Sequence, residues 1–147
     1  MAAAPLCATS KLVIWINTEG NGAAGSIYYN LEFTNLGATS CVVQGYAGVS
    51  AVNLAGHQIG SPASRDRAFT PTLITLGHGE SAKAILQVAE TGNYPPSFCK
   101  AGTAAGLRVY PPGQAVSKVV PFPFSACMSS GESYLHIEGV QAATAEP

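Results

Sequence analysis

Between Ser26 and Asn35 apolar and polar side chains alternate without a break. Ile27, Tyr29, Leu31 and Phe33 fall on one side, and Tyr28, Asn30, Glu32 and Thr34 on the other. A period of two predicts a strand with one face buried and one in water. The same alternation recurs in Ser81 to Glu90, where Ala82, Ala84, Leu86 and Val88 face inward. Lys11 to Asn17 is apolar on both faces, with Leu12, Ile14 and Ile16 opposed to Val13 and Trp15. It is either a central strand or one that carries Trp15 as a surface aromatic. Shorter strands are predicted at Cys41–Tyr46, Val49–Leu54, Gln58–Ile59, Leu73–Leu76, Leu107–Tyr110, Val116–Val120 and Tyr134–Val140. Glycines break up the alanine-rich Ala101–Ala105, so it does not read as a helix, and Ser61–Pro71 reads as an irregular loop. Many short strands separated by Gly and Pro turns pack most naturally as two antiparallel sheets face to face. The expected layout is an N-terminal segment over residues 1–10 carrying Cys7, one sandwich domain over 11–140, and a flexible tail over 141–147.

Four cysteines are set into this pattern: Cys7, Cys41, Cys99 and Cys127. None form Cys-x-x-Cys, the spacing of zinc ribbons and thioredoxin-type centres. Two structural disulfides are expected. Of the three possible pairings, Cys7–Cys41 and Cys99–Cys127 are favoured, because each closes a moderate loop. Disulfides imply an oxidising, extracytoplasmic setting. The opening Met1-Ala2-Ala3-Ala4-Pro5 has neither the basic segment nor the apolar stretch of an export signal, so a mature chain with its signal removed is expected. No apolar run approaches the length of a membrane span, which leaves a native lipid anchor open.

Composition narrows the function. Of the 147 residues only 10% are charged, against roughly 25% in an average domain, and the net charge is −1. Nucleic-acid binding, which needs a basic patch, is therefore not expected. Arg65-Asp66-Arg67 is the one basic cluster and reads as a solvated loop. Gly20-Asn21-Gly22-Ala23-Ala24-Gly25 matches the glycine pattern of dinucleotide sites. It leads into a strand rather than a helix, so it reads as a flexible hairpin loop. His57, His78 and His136 are scattered, so neither a metal nor another cofactor is expected. There is no Gly-x-Ser-x-Gly, and Asp66 is the single aspartate, which argues against an enzyme.

Three proline–aromatic segments stand out: Tyr94-Pro95-Pro96, Tyr110-Pro111-Pro112 and Pro121-Phe122-Pro123-Phe124. They read either as stiff loops whose rings cap the core or as recognition loops, since rigid aromatics lose little entropy on docking. Tyr94, Tyr110 and Phe122 are the candidate binding residues, with Trp15 and Tyr28 as a further aromatic stripe.

The order Cys7, Tyr29-x-Leu31-x-Phe33-Thr34-Asn35-x-Gly37, Cys41-Val42-Val43-x-Gly45-Tyr46, Leu76-Gly77-x-Gly79, Cys99, Leu107-x-Val109 and Cys127 resembles an actinobacterial family known only as domain of unknown function 4232. The resemblance implies an all-β, immunoglobulin-like antiparallel two-sheet sandwich stapled by two disulfides, in a secreted protein or lipoprotein ectodomain. It carries no catalytic residues. Ala47 stands where the family often has proline. The expected function is a non-enzymatic secreted or cell-envelope module that binds a protein or a cell-wall polymer. The alternatives are a secreted enzyme inhibitor using the proline-braced loop Tyr94 to Phe98, or a hydrolase or metal protein whose residues meet only in space.

Overall fold

The computed structural model describes residues 4–68, 70–131 and 133–143. Among them twelve strands follow one another: β1 (Leu12–Ala23), β2 (Ser26–Asn35), β3 (Cys41–Val43), β4 (Gly48–Val52), β5 (Gln58–Ile59), β6 (Ser64–Asp66), β7 (Ile74–Leu76), β8 (Ser81–Ala89), β9 (Ala101–Tyr110), β10 (Lys118–Cys127), β11 (Leu135–Glu138) and β12 (Gln141–Ala142). One helical turn, α1 (Pro96–Cys99), links β8 to β9. The first sheet runs in the order β1-β2-β8-β11-β6, with β12 also pairing with β8, and the second in the order β10-β9-β4-β5. A separate ladder joins β3 to β7. Among the described strands the pairings are antiparallel except β6 with β11, which is parallel.

The core lies between the sheets and follows from parity. Leu31 and Phe33 of β2, Ala82, Ala84 and Leu86 of β8, and Leu107 and Val109 of β9 are all buried in one cluster. The β-sandwich expected from the sequence is therefore the fold. Both favoured disulfides are present, Cys7–Cys41 and Cys99–Cys127, with Cα separations of 4.8 and 4.6 Å. The first ties the N-terminal segment to β3, where Leu6 also bridges Val42. The second joins the end of α1 to the end of β10.

Several local expectations are corrected. The glycine-rich stretch is no loop, because β1 runs through it to Ala23 and turns on Ala24 and Gly25 alone. Both turn residues have positive φ, 45° and 86°, the geometry of a tight two-residue hairpin. Within the expected loop 61–71, Ser64–Asp66 forms β6. Its Arg65 lies over the Tyr46 ring at 5.4 Å, with Arg67 on the same ring at 5.7 Å. Pro121 to Phe124 belongs to β10, an edge strand, where proline's missing donor is tolerated. Ala101–Ala105 is the first half of β9. In the expected tail, Gln141 and Ala142 pair with Lys83 and Ala82. Residues 144–147 of that tail, and residues 1–3, lie outside the described residues.

Candidate functional site

Parity also fixes what the first sheet shows to solvent. Because Leu12 and Ile14 are buried, Val13 and Trp15 point outward from β1. Because Leu31 and Phe33 are buried, Asn30, Glu32 and Thr34 point outward from β2, and by the same rule Ser81, Lys83, Ile85 and Gln87 point outward from β8. Register then aligns these side chains in rows across the strands. One row reads Val13, Thr34, Ser81; the next reads Trp15, Glu32, Lys83, Gln141; a third reads Asn17, Asn30, Ile85. In these rows the amides Asn17, Asn30 and Gln141 stand beside Glu32 and Lys83, with Val13 and Ile85 as the aliphatic members.

A cavity of about 510 Å³ opens over the middle of this face, floored by Asn17, Asn30, Glu32 and Lys83. Ile74 and Thr75 of β7 form one wall, and Ala142 and Ala143 contribute another. A second cavity of about 330 Å³ lies over Ile85, bounded by Glu138, Gln141 and the segment Thr70 to Thr72. Trp15, 39% exposed, stands beside Glu32 across the β1–β2 pair. Its Nε1 donates to the Thr34 hydroxyl at 3.1 Å, and that hydroxyl lies 2.6 Å from the Ser81 hydroxyl. A chain of hydrogen bonds across three strands thus holds an exposed indole in a set orientation. Partial burial raises the Glu32 carboxyl above its usual range, and the nearby Lys83 ammonium opposes that shift. Glu138 is raised by burial and, in the same direction, by the Asp66 carboxylate.

The other sequence candidates are not brought together. Phe122 is corrected outright: it is buried at 7% exposure, in edge contact with Tyr29 at 5.0 Å and stacked on Phe124 at 5.2 Å. Pro121 and Pro123 take the outward positions of β10, so alternation turns Phe122 into the core. Tyr94 packs half-buried against the core cluster. Tyr110 is exposed at the far end of β9, packed over Gly48. Nine residue steps of strand, roughly 30 Å, separate Tyr110 from the α1 end where Tyr94 lies. Tyr28 is half-buried on β2, opposite Gln87. Trp15 stands out in the sequence as an aromatic, whereas nothing local marks Asn17 or Lys83. Alternation shows which way such residues point, but only register shows that they meet.

Among the described residues no three His, Cys, Asp or Glu side chains converge as a metal ligand set would. His57 is exposed in the β4–β5 turn, and His78 Nδ1 lies 3.0 Å from the Gly37 carbonyl. His136 Nδ1 contacts the Ser64 hydroxyl, but among the described residues no carboxylate holds its other ring nitrogen, as a triad would require. No helix among the described residues is long and apolar enough to cross a membrane.

The sequence matches, over residues 7–141, the model of a family described as Domain of unknown function (DUF4232). No curated protein and no solved structure matches the chain.

Proposed function

The chain belongs to the DUF4232 family, and on that frame we propose that it is a non-enzymatic, immunoglobulin-like binding module of the extracytoplasmic space. The outer face of the first sheet would be its binding surface. The observation that carries this reading is Trp15, fixed through Thr34 and Ser81 beside a concave cavity that Asn17, Asn30, Glu32 and Lys83 help to line. An exposed large aromatic immobilised before binding loses little further entropy on contact, which is how recognition surfaces gain affinity. The extracytoplasmic setting is supported by the pairing of all four cysteines. The non-enzymatic reading is supported by the Ser64–His136 contact, which has no carboxylate partner among the described residues.

A second reading has its own support. Phe98 is 48% exposed on α1, which Pro95 and Pro96 stiffen and the Cys99–Cys127 bridge pins. That is the form of a braced inhibitory loop.

Affinity capture from envelope and culture-supernatant fractions separates these readings. Trp15→Ala with Asn30→Ala should abolish capture, while Tyr110→Ala on the opposite sheet and Phe98→Ala on α1 should leave it intact. Loss of capture with Phe98→Ala and retention with the Trp15 and Asn30 changes would move the site to α1.

A further inference from the structure

We propose that the ligand of this face is a polysaccharide chain, with one sugar ring stacked on Trp15 and its neighbours hydrogen-bonded by Asn17, Asn30 and Glu32. The proposal rests on the binding-face reading above and names its ligand class. A pyranose presents two kinds of surface, a weakly positive face of C–H groups and a rim of hydroxyls. The negative face of an indole attracts the first. Hydroxyls donate and accept at once, so they pair best with side chains that also do both, as amides do, or with a carboxylate that accepts two donors. Asn30 has no side-chain hydrogen-bond partner among the described residues, while Asn17 uses only its oxygen, accepting from the Glu19 amide at 3.0 Å.

Other ligand classes fit less well. Protein interfaces are enriched in aromatics, Met and Arg at their core and depleted in Lys and Glu, whereas this cavity sets Asn, Glu and Lys beside small and aliphatic residues of β7 and β12, with neither Met nor Arg. A polyanion needs net positive charge, and here Lys83 faces Glu32 across the β2–β8 pair. A lipid tail needs an apolar floor. Cavities of about 510 and 330 Å³ lie side by side along β8, so a chain of rings has room to run from one into the other.

Trp15 is the single tryptophan in the chain, so its fluorescence reports on this site alone. Cellohexaose, chitohexaose, mannohexaose and glycan strands released from purified bacterial peptidoglycan are titrated into the intact chain. Emission and backbone amide NMR shifts are followed together. At least one glycan should give saturable changes in Trp15 emission and in the amides of Asn30, Glu32 and Lys83. By NMR, Trp15→Ala should weaken that binding about ten-fold or more and Asn30→Ala several-fold, with amide spectra showing both variants folded. The absence of saturable binding by every glycan at millimolar concentration overturns the proposal. So does glycan binding that both variants leave unchanged. If glycans fail while an envelope protein is captured in a manner lost with Trp15→Ala, the face stands and the ligand class falls. If capture too is indifferent to both variants, the face itself is wrong.

Discussion

Asn35 is the residue on which the turn after β2 depends. It is fully buried, and its side chain donates to the Thr39 carbonyl at 3.0 Å and the Leu76 carbonyl at 2.9 Å while accepting from the Gly37 amide at 2.8 Å. Its backbone is used as well, since its amide bonds the Glu80 carbonyl and its carbonyl accepts from Gly79. One amide thus joins the end of β2, the turn that follows and the end of β7. Each net hydrogen bond is worth about 1 kcal/mol, and orphaning the buried Leu76 carbonyl adds a penalty of about 1–3 kcal/mol. Asn35→Ala should therefore lower the unfolding free energy by about 2–4 kcal/mol in urea denaturation. Tyr134 is the opposite case. Among the described residues its buried hydroxyl has no partner in good hydrogen-bond geometry, and burial pushes its ionisation up to about 12, opposed by the Cys127 backbone. Its ring fills the core.

Elements show where local pattern is enough and where pairing takes over. Gly106 sits in the middle of β9 opposite Pro121, where a Cβ would fall on the backbone carbonyl of Val120. Its bare backbone lets β10 lie close at the register shift between Pro121 and Phe124. Gly106→Ala should cost about 1–3 kcal/mol, as overpacking does, and should speed amide exchange along β10 before other strands. β2 was legible to its last residue because its alternation is strict and both ends are turns. β10 was not, because proline–aromatic repeats read as loops unless the strand is known to lie at an edge. β6 was not, because its three polar residues have no apolar period and gain their place from parallel pairing with His136, Ile137 and Glu138. The candidate site divides in the same way. The outward direction of Trp15 and Asn30 is written locally, whereas the row Trp15–Glu32–Lys83–Gln141 depends on four strands finding one register.

The described residues form two main sheets and the β3–β7 ladder, held by two covalent ties and with few charges to contribute. The disulfides close sequence separations of 34 and 28 residues, and each restricts the unfolded chain by about 3–4 kcal/mol. Against a typical net stability of about 5–15 kcal/mol, the two together decide whether the domain stays folded. Replacing either pair with serines, Cys7 with Cys41 or Cys99 with Cys127, should lower the unfolding free energy by about 3–4 kcal/mol in denaturant. Both at once should leave little cooperative transition. All four half-cystines are buried, at 6% exposure or less, so reductant should act at the rate of opening rather than the rate of encounter. The alternation in β2 and β8 has a longer-range consequence. Each strand carries two interleaved texts, one read by the interior and one by the surroundings. Mutation can rewrite the outward text at positions 28, 30, 32, 83 and 87 while the inward one stays legible. A lineage built on this frame is free to diverge in what it touches without renegotiating how it folds.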